Sequence, residues 1–190
     1  MTYGDEQPWP EGADGSGATL SKRTPLSASA EPTHWIASPQ LGGTPGRANF
    51  PAITTPALVI NELDAATNAL FRVELFNRGP TSLALANFAL VSTSTNGATN
   101  FPLPAVTLNP GQFAVFDSAQ TGFQPAQDDK LFLLTSNATV LVDAAPVKNQ
   151  LRGRSPDGIG RWLRPTAASL GASNVVTINR DIVINEIMYE

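Results

Sequence analysis

The sequence predicts an all-β fold, a sandwich or a barrel. Three observations lead there. Apolar and polar residues alternate with period two in short runs. Turn signals built on Gly, Pro and Asn separate those runs, roughly every 8–12 residues. No stretch keeps apolar residues at helical spacing over three turns, so an amphipathic helix is excluded as the organising unit.

The elements follow in order. Residues 1–50 are broken by Pro8, Pro10, Pro25, Pro32, Pro39 and Pro45. Proline fixes φ and removes an amide donor, so at most short strands are expected there, around Ala18–Lys22 and His34–Ala37. Leu58–Leu63 is the first clear strand. Phe71, Val73 and Leu75 alternate with Arg72, Glu74 and Phe76, and Asn77-Arg78-Gly79-Pro80 ends that run as a turn. Leu83, Leu85, Phe88 and Leu90 carry a phase slip at Ala86-Asn87, which predicts a bulge or a bend between two short strands. Asn96-Gly97 is a turn signal, 101–108 is extended but interrupted by prolines, and Asn109-Pro110-Gly111 turns into a strand over Gln112–Asp117. Lys130–Thr135 and Thr139–Asp143 flank Ser136-Asn137-Ala138 as a hairpin, and Gly160–Arg164 is the last strand expected before Leu170-Gly171.

The chain also repeats itself. Val59-Ile60-Asn61-Glu62-Leu63 returns as Val183-Ile184-Asn185-Glu186-Ile187. Asp14-Gly15-Ser16-Gly17 with Leu41-Gly42-Gly43 returns, degraded, as Asp157-Gly158-Ile159-Gly160 with Leu170-Gly171-Ala172. The order is the tail of one unit, one whole unit and the head of the next, as expected for a piece of a tandem multidomain protein. Residues 1–50 are then the closing part of a preceding unit, 51–56 a linker, 57–175 the complete unit and 176–190 the opening strand of a following one. Tandem units of this size are whole domains, larger than solenoid repeats.

Composition excludes several function classes. Charged residues are 15% and net charge is −4, against the basic surface that nucleic-acid binding needs. There is no cysteine, so disulfides and thiolate metal sites are absent. No apolar run is long enough to span a bilayer as a helix, so no membrane insertion is expected. Met1–Glu6 is polar and acidic, unlike a signal peptide; for a piece of a longer protein this says nothing of its compartment.

Taken together, these residues resemble the lamin-tail domain family. The resemblance rests on Val59–Leu63, Val73-Glu74-Leu75-Phe76-Asn77, Leu83–Leu90, Leu108-Asn109-Pro110-Gly111-Gln112, Asp157-Gly158 and Leu170–Asn174, and Gly43–Asn49 is similar to the family's usual terminus. Phe88 stands where the family often has tryptophan, and Gly171–Asn174 lacks a Thr-Pro-Gly element. The resemblance implies an immunoglobulin-like Greek-key β-sandwich, without catalytic role or cofactor, repeated in secreted and cell-surface bacterial proteins. Expected partners are other domains of the same polypeptide and a protein or polysaccharide surface. The lamin link to chromatin does not carry over to an acidic chain.

Asn61, Glu62, Glu74 and Asn77 are the polar residues most expected to matter. Glu62 shares strand parity with Leu58 and Ile60, which places it at the core rim, and a buried carboxylate accepting backbone amides would lock strand ends. Trp9, Trp35 and Trp162 are candidates for ligand stacking, against the alternative that they cover core edges. Asp128-Asp129 reads as a solvated loop. Asp64, Asp117 and Asp143 lie near strand ends but lack the spacing of a calcium loop. His34 is the single histidine, too few for a structural zinc site and outside the complete unit, which therefore has no histidine-supported nucleophile. No catalytic residue, metal or cofactor is expected. The apolar segment within 181–190 is expected to dock on residues 8–40 or to mediate self-association.

Overall fold

The computed structural model describes residues 8–49, 56–93, 98–178 and 181. Thirteen strands are present among them: β1 Ala18–Lys22, β2 Trp35–Leu41, β3 Leu58–Leu63, β4 Arg72–Asn77, β5 Leu83–Ala84, β6 Phe88–Ser92, β7 Thr99–Pro102, β8 Thr107–Leu108, β9 Phe113–Asp117, β10 Lys130–Thr135, β11 Leu141–Pro146, β12 Arg152–Ser155 and β13 Arg161–Leu163. The only α-helical turn described, α1 (Ser118–Thr121), is closed by a capping box between Asp117 and Gln120. Every strand pairing is antiparallel.

Two sheets form the sandwich. One has the order β13-β12-β3-β4-β9 and the other β11-β10-β6-β7. Their inner faces meet in one apolar cluster, with Ile60, Leu63, Val73 and Leu75 from the first and Leu90, Leu131 and Leu133 from the second. Period-two alternation sends these side chains inward. The phase slip at Ala86-Asn87 is a 3-10 turn over Leu85–Asn87 between β5 and β6. Strand β12 lies outside the sequence expectations, because Arg152-Gly153-Arg154-Ser155 has no apolar alternation; its backbone pairing with β3 and β13 makes it a strand.

Strand β10 is apolar on both faces. Leu131 and Leu133 enter the main core, while Phe132 and Leu134 point outward into a second cluster with Ala18 and Leu141. The β1–β2 hairpin supplies the cover, laying Ala18, Ala37 and Leu41 over this outer face. Leu41 N donates to Thr139 O at 3.1 Å, Gln40 bridges Val140, and Lys130 pairs with Asp14. Burying Phe132 there contributes roughly 1.5–3 kcal/mol. Within the hairpin, Pro39 is tolerated because the ladder slips between Ala18 and Leu20, and Ser38 Oγ accepts Thr19 N at 2.8 Å in its place.

The Asn96-Gly97 turn and the apolar segment 182–190, with its expected docking or self-association, lie outside the described residues.

Candidate functional site

The site begins with a register slip. In the β3–β4 ladder Ile60 pairs with Leu75, but the next pair is Glu62 with Glu74, and Leu63 then pairs with Val73. Asn61 is the extra residue, a β-bulge, and a bulge reverses the side-chain alternation beyond it. Glu62 therefore does not share the face of Leu58 and Ile60, and its expected place at the core rim is corrected. It joins Glu74 on the outer face of the five-stranded sheet, where Glu62, Glu74 and Asn61 are all fully buried.

Residues 157–174 bury them. Asn61 Nδ2 donates to Glu74 Oε1 at 2.9 Å and to Asp157 Oδ1 at 3.0 Å, and Asn61 Oδ1 accepts Gly158 N at 2.8 Å. Glu62 Oε1 accepts Ser169 N at 3.0 Å and its Oε2 lies 2.6 Å from Ser169 Oγ. Glu74 Oε2 accepts Gly171 N at 2.5 Å. Asn174 N and Nδ2 both donate to Asp157 Oδ1 at 3.1 Å. Two glycines permit this closeness. Gly158 has φ +71°, and a Cβ there would meet the Phe76 ring at 2.8 Å. A Cβ at Gly153 would meet the Asn174 carboxamide at 2.2 Å.

Glu62 and Glu74 thus share a buried site with Asp157 half-buried beside them, and among the described residues none of the three forms an ion pair. Burial pushes the Glu74 carboxyl up to about 7, with Glu62 and Asp157 adding repulsion and the Asn61 and Gly171 hydrogen bonds opposing it. Burial also raises Glu62; Ser169 opposes this, while Asp64 adds to it. Among the described residues no group of three His, Cys, Asp or Glu side chains is arranged to hold a metal ion.

Each remaining candidate has an internal partner. Asn77 is fully buried; its Nδ2 donates to Thr81 O at 2.9 Å and Leu108 O at 2.8 Å, and its Oδ1 accepts Gly79 N at 3.0 Å. Asp64 accepts Arg72 Nε at 2.5 Å. Asp143 closes the seam between the sheets: its Oδ2 accepts Ile60 N at 2.9 Å, and Arg154, 3.2 Å away, also donates through Nε to Ile60 O. Burial raises the Asp143 carboxyl, against the pull of Arg154. Asp128 and Asp129 lie in an exposed loop, where Asp128 binds Lys148 at 2.6 Å and Asp129 caps Ala126 N. His34 Nδ1 contacts Ala28 O at 3.0 Å.

The tryptophans do not form one platform. Trp9 and Trp162 line a groove of about 1070 Å³ between the N-terminal segment and the sandwich, with Glu11, Asp143, Arg154 and Arg161. Trp35 lines a smaller one of about 450 Å³. The rings have protein partners: the Arg154 and Arg152 guanidiniums stand 4.8 and 5.2 Å from the Trp162 centroid, Trp9 lies 6.3 Å from Trp35, and Lys22 Nζ is 5.6 Å from Trp35.

No family model matches the chain, and no curated protein matches it. Asp157, Ser169, Asn174 and Arg154 escaped the reading of the sequence as site residues. Asp157 sits in a stretch that the internal repeat marks as a turn, Ser169 and Asn174 flank the other such stretch, and that repeat was the available signal.

Proposed function

We propose that this chain is a non-catalytic, lamin-tail-like β-sandwich module, immunoglobulin-like in type, of a larger secreted or cell-surface bacterial protein, serving as a structural, adhesive or interaction unit. One observation carries the reading. Asn61, Glu62, Glu74 and Asn77, the polar residues most able to do chemistry, are buried and hydrogen-bonded within the protein itself. Such groups hold loops in place. Accessory service beside an enzyme domain of the same polypeptide fits the same reading. The full chain, assayed with ester, glycoside and phosphodiester probes, is expected to show no turnover; turnover that Glu62→Gln or Glu74→Gln abolishes would overturn it.

The groove favours a second reading, a glycan- or polymer-binding module. Trp9 and Trp162 share it with the exposed guanidinium of Arg161, and an aromatic edge beside a donor fork suits a sugar chain. Titration calorimetry against acidic and neutral polysaccharides, with Trp9→Ala as control, tests it. Heat that survives the substitution, or no heat at all, counts against it.

A further inference from the structure

The hydroxyl of Ser169 lies between two oxygens, Glu62 Oε2 at 2.6 Å and Asn174 Oδ1 at 3.0 Å. The orientation of the Asn174 amide is fixed from its other side, where Nδ2 faces Asn61 O, Arg154 O and Asp157 Oδ1. A hydroxyl has one proton to donate, and neither a carboxylate nor an amide oxygen brings another. With Glu62 ionised, one of the two short contacts sets lone pair against lone pair. With Glu62 protonated the chain closes: Glu62 Oε2–H donates to Ser169 Oγ, Ser169 Oγ–H donates to Asn174 Oδ1, and Glu62 Oε1 still accepts Ser169 N at 3.0 Å.

We propose that Glu62 carries a proton in the closed domain and that residues 166–174 are a latch which loss of this proton releases. Of the surrounding charges, the carboxylates act in the same direction and Arg72 opposes them. Glu74 on β4 is directly opposite, Asp157 follows β12, and Asp64 stands beside Glu62, itself paired with Arg72. Arg154 is held by Asp143, and Arg152 is stacked on Trp162. Residues 166–174 bring no charged side chain. Ionising the pair therefore places like charges together, offset only by Arg72, which Asp64 already engages, and the titration belongs to Glu62 and Glu74 jointly. Burial raises both groups, so the latch holds at acid pH and loosens as pH rises through the neutral range.

Amide exchange of the whole chain, corrected for intrinsic rates, reads the latch. Protection at Ser169, Gly171 and Asn174 is expected to fall about tenfold or more between about pH 5 and pH 8.5, while the β10 amides hold theirs. Glu62→Gln puts an N–H donor where Oε2–H stood, so it keeps the acid-form protection across the range. Protection in the natural protein that is flat or rises with pH overturns the proposal, as does Glu62→Gln lowering protection at acid pH. Should that variant not fold, the carboxyl carbon resonance of Glu62 decides: titration above the ordinary carboxylate range supports the latch, and titration within that range refutes it.

Discussion

Glu62 and Glu74 face each other across the β3–β4 ladder with no solvent contact, two like groups on a strand pair where opposite charges or apolar partners are the rule. The bulge at Asn61 creates this pair, and the backbone amides of Ser169 and Gly171 hold it.

Stability is expected to fall as pH rises across the acid-to-neutral range. The folded-state carboxyl of Glu74 is raised from 4.5 to about 7, so the native state binds more protons than the unfolded one. Its stabilisation is full below about 4.5 and is lost as pH climbs through about 7, on the order of 3 kcal/mol in total. Asp143 shifts in the same sense. Urea midpoints measured between about pH 5 and pH 8 check the sign; a midpoint that climbs with pH contradicts it.

Asn61→Ala removes both donors from Glu74 and Asp157 and the acceptor for Gly158 N. Leaving buried polar groups unpaired costs about 3 kcal/mol. The loss is expected as a lower melting temperature together with faster exchange at Gly158 and Gly171.

Asp143→Ala strands the Arg154 guanidinium and orphans Ile60 N at the seam. A cost of about 3 kcal/mol is expected, with much less for the double change Asp143→Leu, Arg154→Met, because an apolar pair avoids desolvating either charge. A double-mutant cycle by chemical denaturation measures the difference.

Gly158→Ala meets two obstacles, a φ of +71° and the Phe76 ring 2.8 Å from the new methyl. A loss of roughly 2 kcal/mol is expected. Phe76→Ala in the same chain relieves only the second, so the pair separates backbone strain from crowding.

Phe132→Ala acts on the outer face of β10, under the N-terminal hairpin. About 3 kcal/mol of packing is lost, and exchange protection should fall in residues 18–41 more than in β3 and β4. Leu133→Ala, one residue along but in the inner core, should lower protection across both sheets.

The sequence alone determined that the chain is built of short strands, and it placed most of them, since alternation with period two is a local property that turn residues punctuate. Arg72–Asn77 could be read this way, and Lys130–Thr135 as one arm of a hairpin at Ser136-Asn137-Ala138; Arg152–Ser155 could not, because only its pairing with β3 and β13 makes it a strand. It also marked Asn61, Glu62, Glu74 and Asn77 as residues of weight. What it could not determine was where Glu62 points. One extra residue in one strand reverses every side chain after it, and whether a bulge forms at Asn61 depends on Asp157 and Gly158, which are 96 and 97 residues away along the chain. The tertiary structure alone decided that the two glutamates share a buried face, and that the outer face of β10 is covered by the hairpin rather than by water, because both follow from contacts between segments distant in sequence.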